Sequence, residues 1–211
     1  MTTWSGRAEA YRNAEDQREG DDLDLIVAWA GGCETALDVA TGGGHTARRL
    51  RAAGLRVTTL DPAPGMEPDV IARAEDIPFA EGCFDLVVSR IAPHHFEDVE
   101  AAIGEMARVS CRLVVIEDTL FASEEIEEAE RLRDPTHVRS YTDEDWRGFL
   151  GCAGLEVEAV ELVEKRRPVE RWLARTECFG TDAARVRQLL ADRIQEGEYV
   201  DTKILLRARK R

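Results

Sequence analysis

The segment Leu37-Asp38-Val39-Ala40-Thr41-Gly42-Gly43-Gly44-His45-Thr46-Ala47 passes from an apolar run through three consecutive glycines into a helical pattern. Glycines at such a turn let the chain reverse tightly and let a ligand approach bare backbone. Spaced as Gly42-x-Gly44-x-x-Ala47 they also suit a dinucleotide loop, so the glycines alone do not choose the ligand. Asp38 separates the two readings, because an ionised carboxylate inside an apolar strand is costly unless something satisfies it. A cationic ligand at the strand end does so, whereas a pyrophosphate is repelled; the competing structural role for Asp38 is to accept backbone hydrogen bonds from the loop. Asp61, in Leu60-Asp61-Pro62, follows Asp38 by 23 residues, the place where such folds bring an acid to ribose hydroxyls. Its alternative is an Asp-Pro turn former. A third acid, Asp76 in Ala74-Glu75-Asp76-Ile77-Pro78-Phe79, is placed to accept an adenine amine, with Ile77 against a flat ring; otherwise it is a loop aspartate before Pro78.

His94, His95 and His137 fall in loops expected to rim the reacting end of the site. Histidine titrates near neutrality and is the usual general base where one is needed, although each of the three also suits a cap or a structural hydrogen bond. Adjacent residues in an extended loop point in different directions, so one of the pair is expected to face the site. His95, directly before Phe96 at the start of the next helix, is expected to outweigh His94. His45 reads as a helix-start residue. Trp4 and Tyr11 lie in a charged stretch too polar to be core, where either could anchor a helix through its ring.

Short apolar runs alternating with amphipathic stretches predict parallel strands joined by helices. Strands are expected at Ala36–Ala40, Arg56–Leu60, Asp69–Ala72, Phe84–Ser89 and Arg112–Glu117. Helices are expected at Asp21–Ala30, Thr46–Ala53, Val99–Val109, Ser123–Arg131 and Asp143–Cys152. Leu155–Val163 and Tyr199–Arg207 alternate like half-exposed strands around a helix at Thr181–Ile194, which suits an antiparallel edge on a parallel sheet.

With 211 residues and 44% hydrophobic content, the chain has material for one buried core, and it contains no repeat or Gly/Ser linker. One domain over 1–211 is expected. A net charge of −14 sets the summed field against phosphate backbones and anionic membranes, so nucleic acid is not an expected partner. No apolar run of about 18 residues occurs and the first residues are charged, so a cytoplasmic protein with no membrane span is expected. The five cysteines lie at least 26 residues apart, which argues against a zinc site or a disulfide framework, and no metal is expected.

Taken together, these residues resemble the class I S-adenosylmethionine-dependent methyltransferases, and more narrowly their ubiquinone/menaquinone-biosynthesis-like (type 11) branch. The resemblance starts at Ala8-Glu9-Ala10-Tyr11 and Gly20-Asp21-Asp22-Leu23 and takes in the glycine loop, Leu60-Asp61-Pro62 and Ala74 to Phe79. It continues through Phe84-Asp85-Leu86-Val87, Ser89-Arg90-Ile91-Ala92-Pro93-His94-His95-Phe96, Arg131 to Arg139 and Trp146. It implies an α/β Rossmann-like sheet of seven strands, the last antiparallel, with helices on both faces. It implies that Asp38, Ala40, Thr41, Gly42 and Gly44 cradle the amino-acid end of S-adenosylmethionine, and that Asp61 and Asp76 hold its ribose and adenosine. Pro62, Met66, Glu75 and Arg90 complete that wall, and Tyr11 belongs to an N-terminal helical lid over 1–30, ahead of a Rossmann-like core over 31–211. The implied reaction is in-line methyl transfer to a small-molecule acceptor, leaving S-adenosylhomocysteine. Three departures stand out: only Glu67-Pro68 separate Met66 from Asp69 where relatives carry a helix, Val109-Ser110-Cys111 lacks the usual Lys-Pro-Gly-Gly-like insert, and Gln17 stands where relatives often have histidine. Two other readings remain on the same broad fold. One is an NAD(P)-dependent oxidoreductase, disfavoured by Asp38 and by the lack of a tyrosine-lysine pair at helical spacing. The other is a cofactor-binding protein that does not methylate.

Overall fold

The computed structural model describes residues 3–210; residues 1, 2 and 211, the ends of the expected 1–211 domain, lie outside the described residues. The chain runs α1 (Thr3–Arg12), α2 (Asp21–Trp29), β1 (Thr35–Val39), α3 (His45–Ala52), β2 (Arg56–Asp61), β3 (Val70–Ile71) and β4 (Phe84–Arg90). It continues α4 (Val99–Val109), β5 (Ser110–Thr119), α5 (Glu124–Arg133), α6 (Asp143–Cys152), β6 (Leu155–Pro168), α7 (Val169–Arg175), α8 (Gly180–Leu189), β7 (Ile194–Gln195) and β8 (Glu198–Lys210).

One sheet joins all eight strands in the order β3-β2-β1-β4-β5-β8-β6, with the two-residue β7 paired to β8. The pairs from β3 to β5 are parallel, and β8 runs antiparallel between β5 and β6. The fold is thus Rossmann-like, with the expected seven-strand path, its last strand antiparallel, and one short extra strand.

The pleat sends alternate residues to opposite faces, and both are buried. Leu37, Val39, Val87, Val114 and Ile116 join one apolar cluster with α4 and α6, while Ala36, Leu86, Val88, Leu113 and Val115 join a second beneath α2 and α3. Helix starts are fixed chemically. Asp98 caps α4 by accepting from Ala101 N at 3.0 Å, and Thr142 and Asp145 form a reciprocal capping box on α6.

Most boundaries shift by one or two residues, and three larger departures lie in the C-terminal part. The strands expected at 155–163 and 199–207 are longer, and they overhang the carboxyl edge of the sheet as a hairpin arm whose inward positions include Lys165, Arg167, Asp201 and Lys203. Helix α7 was not anticipated; it buries Trp172 and Leu173 under that arm. The helix expected to reach Ile194 ends at Leu189, because Glu196 (φ 52°) and Gly197 (φ 81°) form a tight left-handed turn that pairs β7 with β8. No described helix is long and apolar enough to cross a membrane.

Candidate functional site

A cavity of about 350 Å³ opens at the carboxyl edge of the parallel strands, where open α/β sheets bind ligands. Asp38 ends β1 at one side of it. Its Oδ2 accepts from Thr41 Oγ1 at 2.6 Å and from Ala47 N at 3.1 Å, so the structural role weighed for this residue is realised on one oxygen. Its Oδ1 makes no hydrogen bond among the described residues, and the side chain lines the cavity. Burial pushes the Asp38 carboxyl up to about 6, against the pull of the Thr41 and Ala47 bonds.

Asp61, at the end of β2, accepts from Gly42 N at 3.0 Å and Ala63 N at 2.9 Å, one bond to each oxygen, and burial raises its pKa. Each oxygen keeps a second lone pair for a ligand hydroxyl. The amides of Gly42, Gly44 and Ala47 are therefore donated to Asp61, the Thr41 carbonyl and Asp38, and are not presented to a phosphate. Ala40, Thr41, Gly42, Pro62 and Met66 line the cavity, whereas Gly44 turns away at φ 71° to start α3.

Gly43 makes the closest approach of the three loop glycines. A Cβ there would lie 2.6 Å from the Tyr11 carbonyl oxygen and 2.8 Å from His45 Nε2. His45 is more than a helix-start residue. Arg48 can only donate, and its Nη2 lies 2.7 Å from His45 Nδ1, so His45 Nε2–H donates to the Tyr11 carbonyl at 2.9 Å. This bond ties α1 to the glycine loop. Ala8 of α1 packs on Ala63 and Met66 with Trp4 and Tyr11 alongside, covering the place where the sequence lacks a helix after Met66.

The wall beyond Ala74 departs from expectation. Asp76 N bonds back to the Arg73 carbonyl at 3.2 Å, and this tight turn leaves Asp76 exposed and sends Ile77 into the core, both off the cavity. Glu75 faces the cavity instead, its Oε1 accepting from Glu97 N at 3.0 Å and ion-paired to Arg73. Arg90 lies in the wall beneath Gln17. It bonds Asp22 at 2.5 Å and Glu117 at 2.9 Å, and Lys165 closes on Asp22 from the other side at 2.5 Å. Although burial alone would raise Asp22, these two cations hold it far below the usual carboxylate range; burial pushes Glu117 up to about 7.

His94 and His95 both line the cavity, contrary to the expectation that one would. They sit in a one-turn 3₁₀ segment, Pro93–His95, ahead of Asp98 and α4, and their rings are 4.0 Å apart. His94 Nδ1 lies 2.5 Å from Asp118 Oδ1 at the end of β5, whereas His95 Nδ1 donates to the Thr136 carbonyl at 2.9 Å. Burial pushes both imidazoles well below their ordinary pKa and lifts Asp118 to about 6, so both rings are neutral at pH 7 with Nε2 as the free acceptor. His137 is not in the cavity wall; its Nε2 bonds Glu127 at 3.1 Å, which fixes the 134–140 loop.

The far side of the cavity holds residues that were not anticipated: Arg133, Arg167, Arg175 and Lys203, with Glu130, Asp201 and the ring of Trp172. Charges on an alternating strand read as a solvated face. The available signal was the adjacency of Asp201 and Lys203 at same-face positions ahead of the apolar run Ile204-Leu205-Leu206.

Comparison with known proteins shows what the chain is similar to. Residues 37–112 match the family model described as a methyltransferase domain. The uncharacterised methyltransferase YcgJ of Bacillus subtilis is 29% identical over 90% of this chain and 83% of its own length. A candidate methyltransferase from Bacillus halodurans superposes with a TM-score of 0.78 at 26% identity, over 90% of this chain and 99% of that one. The YcgJ crystal structure superposes at 0.80 with 23% identity, over 90% and 97% respectively, and shares the fold. Over the matched segment, which runs from Leu37 through the glycine loop, Asp61 and the histidine pair to Arg112, and in its fold, the chain is similar to the class I S-adenosylmethionine-dependent methyltransferases.

Proposed function

We propose that the chain, acting as one domain, transfers a methyl group from S-adenosylmethionine to a hydroxyl of a small-molecule acceptor, with His94 as general base. The observation that carries this reading is one cavity with carboxylates at its β1–β2 side and the His94–Asp118 pair at the end of β4 and β5.

The residues fit the cofactor. Asp38 offers Oδ1 to a cationic group, Asp61 keeps lone pairs for ribose hydroxyls, and Gly42 and the half-buried Glu75 border the space between them. A pyrophosphate would meet two carboxylates and a loop whose amides are already engaged, which counts against the NAD(P) reading. Bound there, the cofactor supplies a methyl group already activated by its positive sulfur. The chain's own tasks are to hold the acceptor in line, to exclude water and to take up one proton. His94 is built for the last of these. Asp118 orients Nδ1–H, which leaves the Nε2 lone pair to take the hydroxyl proton, and it stabilises the imidazolium that results.

Calorimetry tests the reading. S-adenosylhomocysteine should bind while NADPH does not, and Asp61→Ala should weaken binding by about 1.5–3 kcal/mol, the range for hydrogen bonds to a charged group. Tight NADPH binding without binding of the sulfur nucleoside overturns the assignment; unchanged affinity in a folded Asp61→Ala protein removes Asp61 from the site.

A second expectation concerns pH. With the free-protein value of Asp38 at about 6, a cationic ligand favours the ionised carboxylate, so affinity is full above that value and declines as pH falls through it. Titrations between pH 5 and 8 should show this slope in wild type and a flatter one in Asp38→Asn. Equal slopes would mean that Asp38 does not meet the ligand's charge.

A further inference from the structure

We propose that the methyl acceptor is a small organic acid whose carboxylate is received by Arg167 and Lys203. The proposal rests on the methyltransferase reading and names the substrate class of the same cavity.

Arg167 and Lys203 stand on the overhanging arm of β6 and β8 and share a single counterion. Asp201 Oδ1 takes Arg167 Nη2 at 2.7 Å, and Asp201 Oδ2 takes Lys203 Nζ at 2.8 Å. The other bond of Lys203 is to a neutral hydroxyl, Thr119 Oγ1, at 2.5 Å. The side chains of Arg167, Lys203 and Asp201 are 7%, 2% and 3% exposed, so water does little of the neutralising. Neighbouring cations are matched one to one: Arg133 with Glu130 at 2.9 Å, Arg7 with Asp134 at 3.1 Å, and Arg175 with Asp16. Asp118, the next acid along, is engaged by His94 and the Thr119 amide and forms no ion pair with Lys203.

Two buried cations on one carboxylate are costly, and Arg167 keeps a donor for an incoming group, because its Nε is buried without a hydrogen-bond partner. Both cations line the cavity, so an anion entering it reaches them. A carboxylate suits the planar guanidinium fork, which can donate two parallel bonds to its two oxygens.

The position also suits a bifunctional acceptor. On the paired strands Lys203 lies opposite Thr119 and Ile204 opposite Asp118, one register step from the His94 partner. From β1 the cation site is three strands away, about 14 Å at the usual ~4.8 Å spacing, so cofactor and carboxylate do not compete for one place. Trp172, packed between the Arg133 guanidinium 4.3 Å from its ring and the Tyr199 ring at 4.6 Å, braces this end of the cavity.

The test is calorimetric titration of the protein saturated with S-adenosylhomocysteine, using 4-hydroxybenzoate and 4-hydroxycinnamate against the primary amide of each. The acids should bind at least about tenfold more tightly than the amides, and Arg167→Met and Lys203→Met should abolish the difference. Asp201→Asn removes the competing carboxylate and should tighten acid binding, a gain that a misfolded protein does not produce. No preference for acids, no acid binding, a preference unchanged in the methionine variants, or unchanged or weaker acid binding in Asp201→Asn overturns the proposal. Failure of S-adenosylhomocysteine itself to bind overturns the methyltransferase reading and the proposal with it, so the two failures are distinct.

Discussion

His94→Ala should lower kcat by about 10²–10⁴-fold, the usual contribution of a positioned general base, while cofactor affinity stays within about threefold. The expectation rests on the partner at Nδ1. Asp118 is a buried carboxylate 2.5 Å away, able to stabilise a positive ring, whereas the partners of His95 Nδ1 are the uncharged carbonyl and hydroxyl of Thr136. His95→Ala should therefore cost much less, reversing the order expected from the sequence. Asp118→Asn should reproduce most of the His94 loss, because an amide can present its NH₂ to Nδ1 and favour the wrong tautomer. In wild type the rate should fall on the acid side of neutrality as the pair gains a proton, with Asp118 lifted to about 6 and His94 held well below its ordinary value. Acceptor turnover can be found by screening hydroxylated acids with methyl-labelled cofactor, then compared across pH for the three variants. Equal, small effects from all of them would mean that alignment alone drives transfer.

Gly43→Ala should release α1 from the site. The added methyl carbon would fall 2.6 Å from the Tyr11 carbonyl oxygen and 2.9 Å from its carbon, backbone atoms that cannot swing aside. Gly65→Ala should act in the same way at the other end of α1, where the contact is Ser5 Cα at 2.7 Å. Each should weaken cofactor binding by about tenfold or more, roughly 1.4 kcal/mol, and raise amide hydrogen exchange across residues 4–12 without unfolding the sheet. Gly104→Ala in α4 meets nothing within 4 Å and serves as the neutral control. Protection of α1 unchanged in Gly43→Ala would show that the helix is not held by this approach.

The parallel half of the fold could be read from the chain because its local and global signals agree. The limits of α4 and α6 were anticipated to the residue, where apolar periodicity coincides with a start signal at Asp98 and Thr142. The glycine loop, Asp38 and Asp61 were likewise found at strand ends facing one cavity. Asp76 and Ile77 were misplaced because a single backbone bond, Asp76 N to the Arg73 carbonyl, decides which side chain turns inward, and no spacing rule shows it. His137 carried the right residue type, but Glu127, ten residues earlier on α5, claims its ring. The cationic end was hidden for a deeper reason. Strand recognition relies on apolar residues at inward positions, and on the overhanging arm those positions hold lysine, arginine and aspartate.

Helix α1 touches both halves of the cavity at once. Toward the cofactor side it holds the Gly65 amide through Ser5 and the Gly65 carbonyl through Arg12; toward the other, Arg7 bonds Asp134 and the Thr176 carbonyl, and Trp4 meets the His95 ring at 4.6 Å. The two half-sites therefore share one docking equilibrium. Any ligand that favours the seated helix from one side strengthens its counterpart by an identical factor, since free-energy linkage is reciprocal. The two sides would then help each other through the grip of a single ten-residue helix, with neither ligand required to come first.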